Sequence, residues 1–298
     1  MQPSPVPPVP PPPVPLALTC PGPVRVPATA GQTATITYVT PTSTGGTAPV
    51  SVVCAPGSGS AAPIGTSPLT CTATDSASQT ASCSFSATVF PTRFVAFGDS
   101  ITEGKLATGE IIAGSYPANL RTLLVNQYGD QTIDVVNEGL GGETASAGVG
   151  RLPGVLSRDN PQVLLLLEGI NDLTGGNPNR VSPMVDALRQ MVRQARNAGV
   201  QVFLATLTPE RAGGSRASAA GLIDTANDQI RQTAASEGAT LVDLYQGFNG
   251  SPDPFIGSDG LHPTVDGYIK IAQIFFSGID ARVNAMSRAF WRYRSFEP

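Results

Sequence analysis

The chain has 298 residues, of which 41% are hydrophobic and 13% charged, and a formal net charge of −4. That is enough apolar material for one large core or two smaller ones, which excludes a disordered chain. No Lys/Arg cluster or basic helix stands out, which excludes a nucleic-acid surface, and no run of about 18 apolar residues offers a membrane-spanning helix.

Residues 1–15, MQPSPVPPVPPPPVP, hold nine prolines. Such a stretch favours polyproline II and cannot build a core. It reads as a disordered linker, either a semi-rigid spacer that holds the protein off a cell envelope or an inert tail. No basic segment followed by an apolar one marks a signal peptide, so the chain reads as a mature form with an added Met1.

Residues 16–90 are rich in Thr, Ser, Val and Ala. TATITYV, VSVVCA, LTCTAT and SCSFSATV are strand-like runs, and PTSTGG, PGSGS and TDSASQ between them are turn material. A small all-β, immunoglobulin-like sandwich is expected. All four cysteines, Cys20, Cys54, Cys71 and Cys83, lie here. They form no C-x-x-C pair, which argues against zinc. Two disulfides are expected instead, with three pairings open, in a secreted, periplasmic or cell-surface protein. The stretch from PVSVVCA to SCSFSATV resembles the HYR (hyalin repeat) module in its cysteine pattern, its Gly-Ser-Gly turn and its closing Cys-Ser-Phe strand. That resemblance implies an adhesion or spacer domain without catalytic residues, which either contacts a cell surface or glycan or merely spaces the next domain.

From residue 91 the texture changes. TRFVAFG is an apolar strand, YPANLRTLLVNQYG a helix ended by Gly129, and QTIDVVN a second strand. PQVLLLLEG is a third, apolar throughout, as a strand buried on both faces must be. Val181, Met184, Val185, Leu188, Met191, Val192 and Ala195 then form one apolar helix face, with Pro183 in the first turn and Gly199 at the end. VQVFLATL is the fourth strand. A helix over roughly 216–236, the strand ATLVDL and a last helix from Val265 past Asn284 complete the chain. Alternating strands and helices predict a three-layer α/β/α domain over 91–298, with a five-stranded parallel sheet.

Ligands of such a sheet bind beyond the carboxyl ends of the strands, at the switch point. With strand order 2-1-3-4-5, three loops meet there. They are Gly98-Asp99-Ser100 after strand one, NEGLGGET after strand two, and EGIND with Asn171 after strand three. Acyl transfer needs a nucleophile, a base and preplaced N–H donors. Ser100 is the candidate nucleophile. The sole histidine, His262, follows the last strand, and Asp259 lies three residues before it. GLGGET lacks the Lys-Ser/Thr of a phosphate loop, and no G-x-S-x-G elbow occurs. Asp99 and Asp172 suggest a paired-carboxylate glycosidase but fit turn or supporting positions better.

Together the four blocks resemble the SGNH (GDSL-type) hydrolase family, in family order over residues 93–290. Position 101 departs by carrying Ile where the name-giving motif has Leu. The resemblance implies a flavodoxin-like fold and a serine esterase. Its triad would be Ser100, His262 and Asp259. Its oxyanion hole would be the Ser100 and Gly142 N–H groups with the Asn171 amide. No metal or organic cofactor is called for. Leu140, Ile170, Leu173 and Leu261 are expected to line a small acyl pocket, or else to be core. Without a long apolar lid, the expected substrate is a small-molecule or carbohydrate ester of a short acyl or acetyl group, taken by a monomer. An acyltransferase on the same triad and a non-catalytic surface adhesion protein are the competing readings. The stretch GKLATGEIIAG at 104–114 matches nothing specific.

Overall fold

The computed structural model describes residues 14–285. Most of the proline-rich linker expected at 1–15 lies outside them. The described residues fall into two compact units, one of 14–26 with 35–89 and the other of 27–34 with 90–285.

The first part of the chain is all strand. Its elements are β1 (Ala17–Thr19), β2 (Val24–Ala28), β3 (Thr33–Thr35), β4 (Thr42–Thr44), β5 (Val50–Ala55), β6 (Ala61–Pro63), β7 (Gly65–Asp75) and β8 (Thr80–Pro91). They make a four-stranded sheet, β2-β8-β7-β5, and two two-stranded ribbons, β1-β4 and β3-β6. The sequence alternates as a half-buried strand should. Along β7, Leu69, Cys71 and Ala73 are fully buried, while Thr70 and Thr72 point outward and meet Ser84 and Ser82 at 3.3 and 3.1 Å. Such cross-strand hydroxyl pairs stabilise a sheet face that carries no core. Cys54 bonds to Cys71, its direct partner across the β5–β7 ladder, and Cys20 bonds to Cys83. Of the three pairings the sequence left open, this is the one formed.

The second part alternates strand and helix. It comprises β9 (Arg93–Gly98), α1 (Ser100–Glu103), α2 (Tyr116–Tyr128), β10 (Asp134–Gly139), α3 (Ala145–Asp159), β11 (Val163–Leu167), α4 (Val181–Asn197), β12 (Gln201–Ala205), α5 (Ile223–Glu237), β13 (Thr240–Val242), α6 (Leu244–Gly247) and α7 (Val265–Asn284). The sheet is parallel with order β10-β9-β11-β12-β13, the expected 2-1-3-4-5. Every residue of β11 is buried, which accounts for its uninterrupted apolar run. Helices α2 and α7 pack together, with Tyr116 stacked on Phe275 at 5.2 Å, and α3, α4 and α5 pack as a second group. The apolar stripe of α4 is buried along its whole length.

Two helices differ from the sequence reading. Helix α3 carries Pro153 and three glycines, so its propensity is poor and its pattern faint. It forms because the Thr144 hydroxyl caps it, Asn160 ends it in the left-handed region, and Leu152 and Val155 are buried. Helix α5 starts at Ile223, not near 216. The preceding residues are drawn away by the backbone of the final loop: Arg211 N–H bonds to Gly260 O at 2.8 Å and Arg216 N–H to Asp259 O at 2.8 Å.

Candidate active site

The turn that carries Ser100, the candidate nucleophile, is dictated by crowding. Gly98 is the register partner of Gly139 on one side and Leu167 on the other. A Cβ on Gly98 would lie 2.0 Å from Leu167 O and 2.3 Å from Thr102 Oγ1, so only glycine fits. Asp99 caps α1, its Oδ1 accepting from Ile101 N–H at 2.8 Å. This places Ser100 at the first position of α1, buried, beyond the carboxyl end of the central strand β9.

His262 arrives from the other end of the chain. Ser100 Oγ is 3.0 Å from His262 Nε2, and His262 Nδ1 is 2.5 Å from Asp259 Oδ2. Asp259 Oδ1 also accepts from the Leu261 and His262 N–H groups, both at 3.1 Å. The three side chains expected as a triad thus stand in one hydrogen-bonded row. Gly260 makes the turn possible with φ of 87°, where a Cβ would lie 2.6 Å from Arg211 O.

Burial acts to raise the Asp259 carboxyl, but the imidazole and the two backbone N–H groups outweigh it and hold the group below its ordinary value. The His262 imidazole is held down chiefly by burial. Arg216 and Lys105 add to that, and Asp259 opposes it. At neutral pH the ring is therefore uncharged, with Nδ1–H donating to Asp259 and Nε2 open toward the serine hydroxyl.

The loop after β10 is bonded to the turn that carries Ser100, and the loop after β11 is bonded to the loop after β10. Leu140 N–H donates to Gly98 O at 2.9 Å, tying the loop after β10 to the nucleophile turn. Gly142 sits at φ of 82°, and among the described residues its N–H meets no acceptor. Asn171, in the tight turn after β11, donates one amide hydrogen to Glu143 O at 2.8 Å, which leaves the second free. Asp172 Oδ2 accepts from Ala145 N–H at 2.7 Å and joins the same two loops.

Of the four leucine and isoleucine residues expected around an acyl pocket, Leu173 has no exposed surface, Ile170 and Leu261 have 3% and 5%, and Leu140 has 49%. The Leu173 side chain is core.

Sequence reading missed the supports. Arg151 on α3 grips the Glu143 carboxylate, with Nε at 2.8 Å from Oε1, and donates to Glu138 O at 3.0 Å; it also lies 3.9 Å over the Phe97 ring. One guanidinium therefore binds the end of β10, the loop after it and strand β9. Glu168 follows Leu167 as Asp99 follows its register partner Gly98. Glu168 is 1% exposed, with Oε1 accepting from Gly169 N–H and Oε2 without a partner among the described residues. Burial, then the neighbouring Asp99 and Glu143, push its carboxyl well above its ordinary value. Burial likewise pushes Asp99 up to about 7. The signal for Glu168 was a charged residue ending a wholly apolar strand. Arg151 had no local signal, because α3 itself had none.

The sequence profile of the GDSL-like Lipase/Acylhydrolase family matches residues 96–269. An arylesterase of Vibrio mimicus is 25% identical over 181 residues, 61% of this chain and 84% of that protein. Esterase TesA of Pseudomonas aeruginosa is 28% identical over 146 residues, covering 48% and 69%. The crystal structure of the lipase/acylhydrolase from Enterococcus faecalis, 24% identical, superposes with a TM-score of 0.56 over 63% of this chain and 95% of that one.

Proposed function

The chain belongs to the GDSL-like Lipase/Acylhydrolase family and is a carboxylic ester hydrolase, and we propose that it works as a serine esterase with Ser100 as its nucleophile. The observation that carries this reading is the row Ser100 Oγ–His262 Nε2–Asp259 at 3.0 and 2.5 Å. Ser100 Oγ attacks the ester carbonyl carbon while His262 Nε2 takes the hydroxyl proton. The tetrahedral oxyanion is met by the Ser100 and Gly142 N–H groups and the free hydrogen of the Asn171 amide. Collapse expels the alcohol, which leaves with the proton from His262, and an acyl-enzyme remains. Water then attacks by the same route, with His262 as base and Ser100 as leaving group. Asp259 holds the ring in its Nδ1–H tautomer and balances the transient imidazolium. The route requires no metal or organic cofactor.

A short acyl group, acetyl above all, suits this site. Only Leu140 offers exposed apolar surface among the four residues expected to line a pocket, so little remains to desolvate a long chain. A carbohydrate alcohol fits an extracellular setting, which the two disulfides support. One chain supplies every group named, so the site needs no residue from a second copy. Residues 16–90 serve as the HYR-like, immunoglobulin-type spacer; the antiparallel β5-β7-β8 ladders and their cross-links support that role.

Hydrolysis of p-nitrophenyl acetate by wild type and by Ser100→Ala tests the reading. The variant is expected to lose about 10⁴-fold or more in kcat with an unchanged circular dichroism spectrum. Activity that survives in Ser100→Ala would place the nucleophile elsewhere.

A further inference from the structure

Two segments that sequence reading left without a role converge on the catalytic turn. The first is 104–114. It is a short hairpin: Lys105 bridges to Ile111, and Leu106 N–H bonds to Glu110 O at 2.7 Å. It is anchored to the site at both ends of its first arm. Lys105 N–H donates to Ser100 O at 3.0 Å, and the Tyr268 hydroxyl donates to Lys105 O. Ala107 lies against Gly257, whose N–H donates to His262 O at 2.8 Å. The second is the stretch before α5, expected as helix. It lies along the Asp259-Gly260 backbone through the Arg211 and Arg216 bonds, and a Cβ on Gly214 would lie 2.4 Å from Asp259 O.

Each segment carries a cation that the fold does not use. Arg211 is consumed structurally: it donates to Ile256 O at 2.7 Å and pairs with Asp253. Lys105 and Arg216 are not consumed. Among the described residues, the Lys105 ammonium and the Arg216 guanidinium make no ion pair and no side-chain hydrogen bond. Arg216 is exposed and Lys105 half-buried. Both are close enough to His262 to disfavour its protonation. The nearby acids are otherwise engaged or turned away. Asp259 holds the imidazole, Asp253 holds Arg211, and the Glu103 carboxylate reaches toward Gly141. Glu110 is an exposed residue on the second arm of the hairpin. A protein of net charge −4 therefore presents two uncommitted positive groups beside its catalytic histidine. Cations at the rim of a site raise the local concentration of anions and bind carboxylates directly.

We propose that Lys105 and Arg216 are specificity-determining residues that select esters bearing a negatively charged group, a carboxylate above all, close to the scissile bond. The inference rests on Ser100 being the nucleophile. The carboxylate belongs either to the acyl part, as in a dicarboxylic half-ester, or to the alcohol part, as in an acetylated uronic acid. In both, the ester is cleaved as described above, and the anion is bound without taking part in the chemistry.

Two matched substrate pairs test this, with kcat/KM measured for wild type and for Lys105→Gln/Arg216→Gln. On the acyl side, p-nitrophenyl hemiglutarate is set against p-nitrophenyl valerate. On the alcohol side, an O-acetylated methyl galacturonoside with free carboxylate is set against its methyl ester. Wild type is expected to prefer the anionic member of at least one pair by about tenfold, two exposed charge pairs each contributing a few-fold. That preference should shrink as salt is raised to about 0.5 M and disappear in the double variant. Hydrolysis of neutral p-nitrophenyl acetate, compared on the pH plateau of each enzyme because the two cations also bear on the His262 pKa, should change much less than the ratio within the responsive pair. The pair that shows the preference identifies which side carries the charge. Equal rates within both pairs, or a preference that survives the double substitution, would overturn the proposal while leaving the esterase reading intact. Failure of wild type to hydrolyse any of these esters would overturn the esterase reading and this inference with it.

Discussion

The two parts of this molecule are stabilised in different ways. In the N-terminal strands, β5 alternates between half-buried and exposed residues, Val39 and Val53 stand 78% and 70% exposed, and two disulfides cross-link the chain. In the α/β unit, β11 is buried at every position, and no cysteine is present. A thin sheet cannot remove enough apolar surface from water to offset the entropy of ordering it, so covalent links constrain the unfolded chain instead. A sheet covered by helices has no such need. The second kind of interior holds a histidine 1% exposed and an acid, Glu168, that burial raises well above its ordinary value. Deep burial supplies both the stability and the shifted proton affinities that the chemistry uses.

The sharpest way to break this contrast is to remove its cross-links. Cys20 and Cys83 are 63 residues apart, and the loop-closure relation gives about 4 kcal/mol of stabilisation for a link of that span. Cys20→Ser/Cys83→Ser should lower the stability of the N-terminal unit by about that amount in urea unfolding followed by near-ultraviolet circular dichroism, while p-nitrophenyl acetate hydrolysis changes by less than about twofold. A large loss of activity would show that the esterase depends on the cross-linked strands.

The next effect belongs to the buried site. Asn171→Ala removes a proposed oxyanion donor and should lower kcat by about 10²–10³, or about 2.7–4 kcal/mol, with a smaller change in KM. A near-wild-type kcat would take Asn171 out of the mechanism and leave its bond to Glu143 O as its whole role.

The smallest effect is in pH dependence. If His262 is the base, as proposed, it must be neutral imidazole, and activity should fall as pH drops through its pKa. Burial, helped by Arg216 and Lys105, lowers that pKa from the ordinary value of about 6.5. The acid limb of kcat/KM should therefore have its midpoint below about pH 6.5. A midpoint above that value would mean that the Asp259 carboxylate outweighs burial.

Much of this was legible in sequence because the signals are local. The apolar run of β11, the stripe of α4, Gly129 ending α2 and the abrupt Gly98-Asp99-Ser100 after an apolar strand each report their own surroundings. The alternation of elements predicts a parallel sheet but not its strand order; with the order 2-1-3-4-5 that the structure has, the loops carrying Ser100 and Asn171 border one switch point. Helix α3 was not legible, because Pro153 and its glycines blur the period and its stability comes from what it packs against. The late start of α5 was not legible either, since the stretch before it is bonded to residues more than forty positions away, from Arg211 to Gly260 and Arg216 to Asp259.

The residue types of this chain, with their order and periodicity, determined an α/β domain with a serine, an asparagine, an aspartate and a single histidine at the loops that border one crevice. Distance and burial were decided by the tertiary structure. Folding chose which cysteines pair, sent Leu173 into the core, placed Arg151 across three segments, and set Lys105 and Arg216 beside His262 with no side-chain partner among the described residues. The reason is that periodicity is written in neighbours within a few residues, whereas desolvation and charge depend on every atom within several ångströms, whatever its place in the chain.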